Sequence, residues 1–310
     1  MKARGLALAL LVILCLPGFA QQETTSAVDD KPPTAPDLTP GTDGKLSPEQ
    51  MRELTRVVMR NYLDNRERQR DYTYIQRDVD KTLDEGGGTK STEIKTYDVT
   101  NIYGERVWRM IEKDDKPLDA KEAAREEEKI QKIIDKHKAE SDDDRKKEEE
   151  KRAKQGEEFR KFVSAVADSH DFKLAGTELV DGREAWVIDG EPRPGFELKD
   201  KEQRFVAKFR GRLWIDKGSM QMAKVDLEAI DTASVGWVLA RIHKGTRVTL
   251  EQTRVNDEVW LPRHLTYKFD ARVALFKGYN LDGDQEYRDY KKFRTTSKIV
   301  GMGEVKEEPK

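Results

Sequence analysis

The stretch LTYKFDARVAL, residues 265–275, alternates apolar and polar side chains along its length. Its odd positions, from Leu265 to Leu275, are apolar, and the even positions from Thr266 to Arg272 are polar. A period of two residues is typical of a β-strand that has one buried face and one face in water. We therefore expect the fold to depend on antiparallel strands whose shared apolar face forms the core.

The same pattern extends in both directions along the chain. Three hairpins are predicted, at Phe172 to Ile188, Phe205 to Ile230 and Thr246 to Phe276, with turns at Asp181-Gly182, Lys217-Gly218 and Asn256-Asp257. Three strands precede them at Tyr72 to Leu83, Thr92 to Tyr103 and Arg106 to Glu112, and a last strand at Gln285 to Phe293 follows a turn at Asp282-Gly283-Asp284. The sequence thus predicts a mainly β, α+β fold with an antiparallel sheet of about ten strands.

A helix is predicted before the first strand. Ser47 and Gln50 have the spacing of a capping box, and Pro48 stands at the first helical position. Apolar residues then recur at steps of three and four from Met51 to Tyr62. We expect a helix from about Pro48 to Asn65 that lies on the concave face of a curved sheet.

A charged segment interrupts the strands at about residues 114–168. Of the 43 residues from Asp119 to Lys161, 29 are charged, which is too many for a buried core. Acidic residues stand four positions before basic ones at several places, a spacing that favours an exposed helix. We interpret the segment as a helical insertion whose last turns dock on the sheet. It is either a solvated connector or an arm that binds an envelope protein partner.

The chain begins with a predicted secretory leader, residues 1–20. Lys2 and Arg4 precede an apolar run that ends near Pro17 and the small residues before Gln21. A membrane anchor is the alternative, but the run is shorter than the roughly 20 residues that a spanning helix needs. Residues 21–46 are predicted to be a disordered Pro-rich linker and residues 301–310 a flexible tail. We expect a periplasmic or secreted protein in which Cys15, the single cysteine, leaves with the leader; lipidation of Cys15 is the minority alternative.

Several classes of function are disfavoured by composition and spacing. The formal net charge of -2 disfavours a nucleic-acid partner. The four histidines lack the spacing of a metal helix, and no Gly-rich phosphate loop occurs, so we predict no metal and no cofactor. The run Asp168-Ser169-His170-Asp171 has the residue types of a catalytic triad. Adjacent residues do not face each other, however, and we assign no catalytic residue.

Aromatic residues supply the candidate binding site. Four tryptophans fall on predicted strands together with a tyrosine and a phenylalanine: Trp108, Trp186, Trp214, Trp260, Tyr267 and Phe269. They form either ordinary core or the lining of an apolar cavity on the concave side of the sheet. Such a cavity suits acyl chains, because each buried methylene contributes roughly 0.8 kcal/mol without a directional bond.

Three short segments carry a family resemblance. Leu213-Trp214-Ile215-Asp216-Lys217, Met222-Ala223-Lys224-Val225-Asp226 and Val259-Trp260-Leu261-Pro262 resemble the LolA/LolB-like outer-membrane lipoprotein-sorting proteins. The resemblance covers about residues 47–300, apart from the charged insertion. It implies an unclosed β-barrel with a helical lid and a hydrophobic cavity that holds the lipid chains of lipoproteins, without catalysis.

The sequence therefore predicts a non-enzymatic periplasmic protein that binds lipid or lipoprotein acyl chains. The alternative is an envelope interaction or structural protein that has a filled core and uses its charged insertion to contact a partner.

Overall fold

The computed structural model describes residues 36–235, 240–273 and 277–292. The predicted leader, most of the predicted linker, the predicted tail and Leu275 of the alternating stretch lie outside the described residues.

Within the described residues the chain forms four helices and thirteen strands. The helices are α1 (Pro48–Gln69), α2 (Ala120–Lys138), α3 (Asp142–Ser169) and α4 (Lys201–Val206). The strands are β1 (Tyr72–Leu83), β2 (Thr89–Ile102), β3 (Glu105–Lys113), β4 (Lys116–Pro117), β5 (His170–Val180), β6 (Arg183–Pro192), β7 (Phe209–Asp216), β8 (Met222–Ala229), β9 (Ala233–Val235), β10 (Ala240–Ile242), β11 (Arg247–Val255), β12 (Val259–Val273) and β13 (Lys277–Lys292).

All the strands belong to one antiparallel sheet. Its order is β4-β3-β2-β1-β13-β12-β11-β8-β7-β6-β5, and β10 joins β9 to the end of β12. The sheet has an edge at β4 and another at β5, so it is not closed. The prediction of a mainly β fold with an unclosed antiparallel sheet is confirmed, with thirteen strands in place of about ten.

Helix α1 begins where the capping box predicted. The Gln50 N–H donates to Ser47 Oγ at 3.1 Å, and the Ser47 N–H donates to Gln50 Oε1 at 2.8 Å. These two bonds satisfy main-chain donors that a helix start otherwise leaves unpaired. The helix continues to Gln69, one turn beyond the prediction. No helix in the described ranges is long and apolar enough to span a membrane.

The charged insertion folds as α2 and α3. The last turns of α3 dock as predicted, because Val166 packs against the cluster that holds α1. Helix α2 also docks, through Ile130 against Ile102 and Val107 of β2 and β3. A short apolar turn is therefore enough to anchor a helix that is otherwise charged.

Two local predictions were wrong. Asp282-Gly283-Asp284, predicted as a turn, lies inside β13, where Gly283 pairs with Tyr267. A Cβ on Gly283 would lie 2.1 Å from Tyr267 Cζ, so the glycine makes room for a ring rather than for a turn. Phe205 was predicted in a strand but lies in α4. Asp200 caps the start of this helix, where its side chain accepts a hydrogen bond from the Gln203 N–H.

A buried carboxylate organises the turn between β7 and β8. Asp216 accepts hydrogen bonds from Arg183 Nε at 2.8 Å and from the Ser219 N–H and Oγ, both at 2.7 Å. Its side chain is 1% exposed. Burial alone would raise the pKa of Asp216, but these hydrogen bonds outweigh it and hold the pKa below its ordinary value.

We expect Asp216 to contribute to the acid sensitivity of the fold. Because its pKa is lower in the folded state, the carboxylate stabilises the protein above the ordinary carboxyl pKa of about 4, and this contribution is lost as the pH falls through the folded value. Urea unfolding of Asp216→Asn should therefore show a weaker loss of stability below about pH 4 than wild type. Asp257→Asn, at an exposed position, is the control, and equal pH profiles for all three proteins would contradict the prediction.

Candidate functional site

Helix α1 defines one face of the sheet, which we call the inner face. Leu54 and Val57 of α1 pack against Ile188 of β6 and Ile215 of β7, and Ile188 and Val57 are fully buried. Buried apolar side chains thus pack beneath α1, on the side of the sheet for which the sequence left open either ordinary core or an apolar cavity. The inner face can be followed from this cluster across the sheet, because residues directly opposite each other on neighbouring strands point to the same side.

The inner face changes character along one row of cross-strand pairs. Leu213 belongs to the periphery of the α1 cluster, and its row continues through residues that face one another in turn: Val225, Leu250, Leu265, Gln285, Asp78 and Lys95. The row is apolar from β7 to β12 and polar from β13 to β2. Along this row we call the part of the inner face from β7 to β12 the apolar half and the part from β13 to β2 the polar half; the two meet between β12 and β13.

The apolar half contains a cluster built by the sheet alone. Val225, Leu250 and Leu265 are 5% exposed or less, and the partly buried apolar residues packed against them all lie on strands. In the described chain no apolar residue of a helix joins this cluster.

The polar half is held together by hydrogen bonds between side chains. Trp108 Nε1 donates to Gln76 Oε1 at 2.9 Å, and Gln76 Nε2 donates to Asp78 Oδ1 at 2.8 Å. The Tyr267 hydroxyl donates to Asp80 across the boundary between the halves. This half is polar and aromatic, so an oily lining does not extend over the whole inner face.

The six predicted cavity residues do not gather at one place. Trp108, Trp186, Tyr267 and Phe269 lie on the inner face, where Trp186 packs against the α1 cluster and Phe269 is buried beside Phe209. In the order of strands across the sheet, these four residues are spread from β3, near one edge, through β12 to β6, near the other edge. Trp108 is 37% exposed.

The other two tryptophans occupy different surroundings. Trp214 packs with Ala185 and Val187 on the opposite face, and its Nε1 donates to Glu178 at 2.8 Å. Trp260 is buried where the β7–β8 turn meets α1, and its Nε1 donates to Ser219 Oγ at 3.1 Å.

A cleft of about 750 Å³ lies at the first turn of α1. Its apolar walls include Leu46, Met51 and Phe172, which belong to the same cluster that holds α1 on the sheet. Ala167, in the last turn of α3, lines the other side. The volume falls within the range of about 300–1,000 Å³ that small-molecule sites occupy.

Charged side chains stand at this cleft. Asp171 accepts from Lys45 Nζ at 2.7 Å and from Arg193 Nε at 3.0 Å. These bonds lower the pKa of Asp171, the Lys45 bond being the largest cause. The Arg193 guanidinium also lies 5.3 Å from the centre of the Phe196 ring. The cleft thus combines apolar walls with a small group of ionic side chains.

The sequence run at residues 168–171 does not assemble a catalytic triad. Ser169 Oγ lies 3.0 Å from His170 Nδ1, but it donates to the Ala165 carbonyl at 2.6 Å. His170 Nε2 faces the Phe209 carbonyl at 3.1 Å, so neither neighbouring carboxylate orients the ring. Burial lowers the pKa of His170. Among the described residues no group of three or more His, Cys, Asp or Glu could hold a metal ion.

The cleft could not be found from the sequence. Its residues come from the segment before α1, the junction of α3 and β5, and the end of β6, which lie far apart along the chain. None of them has a spacing or a motif that indicates a ligand. The capping-box spacing of Ser47 and Gln50 predicted the start of α1, which borders the cleft, but this spacing does not indicate a cleft.

No protein-family model and no curated protein matches the chain. Among solved structures it is similar to an outer membrane lipoprotein-sorting protein domain from Vibrio parahaemolyticus, at 11% identity and a TM-score of 0.32, covering 79% of this chain and 95% of that one. A DUF1329 family protein from Desulfovibrio piger has 12% identity and a TM-score of 0.29, covering 80% and 95%.

A LolA superfamily protein from Nitrosomonas europaea has 10% identity and a TM-score of 0.30, covering 77% of this chain and 94% of that one. At these identities and TM-scores the structural similarity does not indicate a function. The Vibrio parahaemolyticus and Nitrosomonas europaea structures belong to the LolA-like group that the sequence resembles.

Proposed function

We propose that this protein binds an amphipathic ligand, a lipid or the acyl chains of a lipoprotein, without catalysis and after export to the periplasm. The cleft at the start of α1 is the observation that carries the proposal. Leu46, Met51 and Phe172 line the cleft with apolar side chains, and Lys45, Asp171 and Arg193 offer polar contacts beside them. An acyl chain with a polar end matches this combination.

The energetics favour a chain-like ligand over a small polar one. Each methylene removed from water contributes about 0.8 kcal/mol, so eight buried methylenes contribute about 6 kcal/mol before the costs of association. The ionic side chains are already paired with one another, so a purely polar ligand would have to replace bonds that exist. The apolar walls supply most of the affinity in this proposal.

Filling the cleft tests the proposal. Ala167→Trp places a ring in the cleft from the last turn of α3, and we expect it to weaken binding of a fluorescent sixteen-carbon fatty acid at least tenfold, about 1.4 kcal/mol. Titration of the purified full chain measures the affinity, and native mass spectrometry of the same sample measures co-purified lipid.

Ala153→Trp is the matched control, because Ala153 is exposed on the same helix and does not line the cleft. We expect its affinity to equal that of wild type. Equal affinity for the Ala167 variant and wild type would exclude the cleft as the site, and a chain that neither holds lipid nor binds the probe would exclude the function.

One observation favours the alternative of an envelope interaction protein. Helix α3 begins with three consecutive acidic residues, Asp142 to Asp144, and its first half is largely exposed and charged. Together with the filled space beneath α1, this leaves the insertion as a surface for another protein. A ligand-free protein that loses capture of an envelope protein when residues 119–154 are deleted would favour this second function.

A further inference from the structure

The two edges of the sheet differ in how they are protected. At one edge β4 is only two residues long and contains Pro117, which has no N–H to offer a new strand. At the other edge β5 runs from His170 to Val180 without a proline. Of these two edge strands, β5 is therefore the longer one and the one without a proline.

Part of the β5 edge is already used by the protein itself. The Leu46 N–H donates to the Phe172 carbonyl at 2.9 Å, and Lys45 forms an isolated antiparallel bridge with Lys173. Beyond Lys173 no main-chain hydrogen bond from another described segment reaches residues 174–180 on that side. The chain thus leaves an open strand edge next to a pairing that it makes on its own.

The open segment is apolar and exposed. Its sequence, Leu174-Ala175-Gly176-Thr177-Glu178-Leu179-Val180, contains one charged residue, and Glu178 already accepts a hydrogen bond from Trp214. Leu179 is 71% exposed, more than Tyr103 at 58% or Trp108 at 37%. A long apolar edge strand is a template for pairing with another strand. A bulge between Leu174 and Gly176 leaves Thr177 to Val180 in regular register with β6.

We propose that β5 pairs with β5 of a second copy of this chain, antiparallel and about a two-fold axis through Thr177, to form a dimer with one continuous sheet. The sequence is self-complementary in this register. Leu179 of each copy comes opposite Ala175 of the other, and Val180 comes opposite Leu174. The pairing ends before Lys173, where Lys45 of the same chain already occupies the edge.

Charge selects this register over its neighbour. An axis through Glu178 would set two carboxylates against each other, which destabilises a cross-strand pair. An axis through Thr177 sets two hydroxyl side chains together and falls at the middle of the open segment. A two-fold contact of this kind is closed, so it yields a dimer rather than a filament.

A proline at the axis tests the pairing without breaking the β5–β6 ladder. Thr177 and Phe172 both point to the inner face, and the Phe172 carbonyl is directed to the open edge, so the Thr177 N–H is directed there too. We expect wild type to show a concentration-dependent dimer by sedimentation equilibrium, and Thr177→Pro to weaken self-association at least tenfold. Leu179→Lys places a charge at an exposed edge position and should weaken self-association by the same amount. Agreement between the two variants separates a loss of pairing from a folding defect of the proline variant.

A cysteine provides the positive test. In a Cys15→Ser full chain, Thr177→Cys should oxidise to a disulfide-linked dimer, because directly paired residues place Cα atoms about 5.5 Å apart, within the range of a disulfide. Tyr103→Cys, at a 58% exposed position in the β2–β3 turn, is the matched control and should stay monomeric in the same buffer. A wild type that is monomeric up to about 1 mM, or equal crosslinking of both variants, would overturn the proposal.

Discussion

Replacing Ile215 with alanine is expected to lower the free energy of unfolding by about 3 kcal/mol. Ile215 is 2% exposed and lies in the cluster through which α1 packs on the sheet. The substitution removes three carbons from a closely packed site that α1 and the neighbouring strands cannot fully refill. Urea unfolding, followed by tryptophan fluorescence, measures the loss.

Two companion variants separate the effect of lost packing from a general sensitivity of the fold to substitution. Ile215→Val removes one methylene and should cost about 1 kcal/mol. Leu179→Ala removes a side chain of similar size from a position that is exposed in the monomer, and at protein concentrations too low for self-association it should change stability by less than about 0.5 kcal/mol. If Ile215→Ala and Leu179→Ala lower the free energy of unfolding by the same amount, the space beneath α1 is not closely packed. A cavity there would then again be a candidate site.

The second large effect is expected at Asn65. This side chain is 4% exposed, its Nδ2 donates to the Trp260 carbonyl at 2.8 Å, and its Oδ1 accepts from the Trp260 N–H at 2.7 Å. Asn65→Leu has a similar size but leaves the Trp260 N–H buried without an acceptor, which costs about 2–3 kcal/mol. The Trp260 carbonyl keeps its bond from Gln69, so the cost falls mainly on the donor. Thermal and urea unfolding measure it.

The matched control for Asn65 is its exposed neighbour Asp64. Asp64→Leu changes a residue on the outside of the same helix, and we expect its stability to stay within about 0.5 kcal/mol of wild type. A small effect of Asn65→Leu, comparable to that of Asp64→Leu, would mean that α1 is held by its apolar residues alone.

The strands were predictable because alternation and turn chemistry are local. The hairpin around Asp181-Gly182 forms as expected, with Val180 paired with Arg183. Gly283 was predicted in a turn because a glycine between two aspartates is typical of a turn, whereas its actual role depends on Tyr267 across the sheet. A partner on another strand cannot be identified from a local pattern.

The faces of the aromatic residues were not predictable for the same reason. Trp214 and Trp186 lie on neighbouring strands, yet register places Trp214 opposite Val187 and Trp186 opposite Ile215, so the two indoles point to different sides. A one-residue change of register reverses every side chain of a strand. The sequence therefore indicated that these tryptophans lie in strands, but not which of them share a surface.

The position of β13 has a consequence for how the chain acquires its structure. Strand β13 pairs with both β1 and β12, and in the described sheet it is the element that joins β1–β4 to the strands that follow. Because synthesis proceeds from the N-terminus, the edge of β1 that pairs with β13 stays uncovered until β13 has been synthesised. Pairings between such distant segments form slowly and expose unpaired edges meanwhile. A chain that follows this route depends on protection against aggregation until β13 is in place.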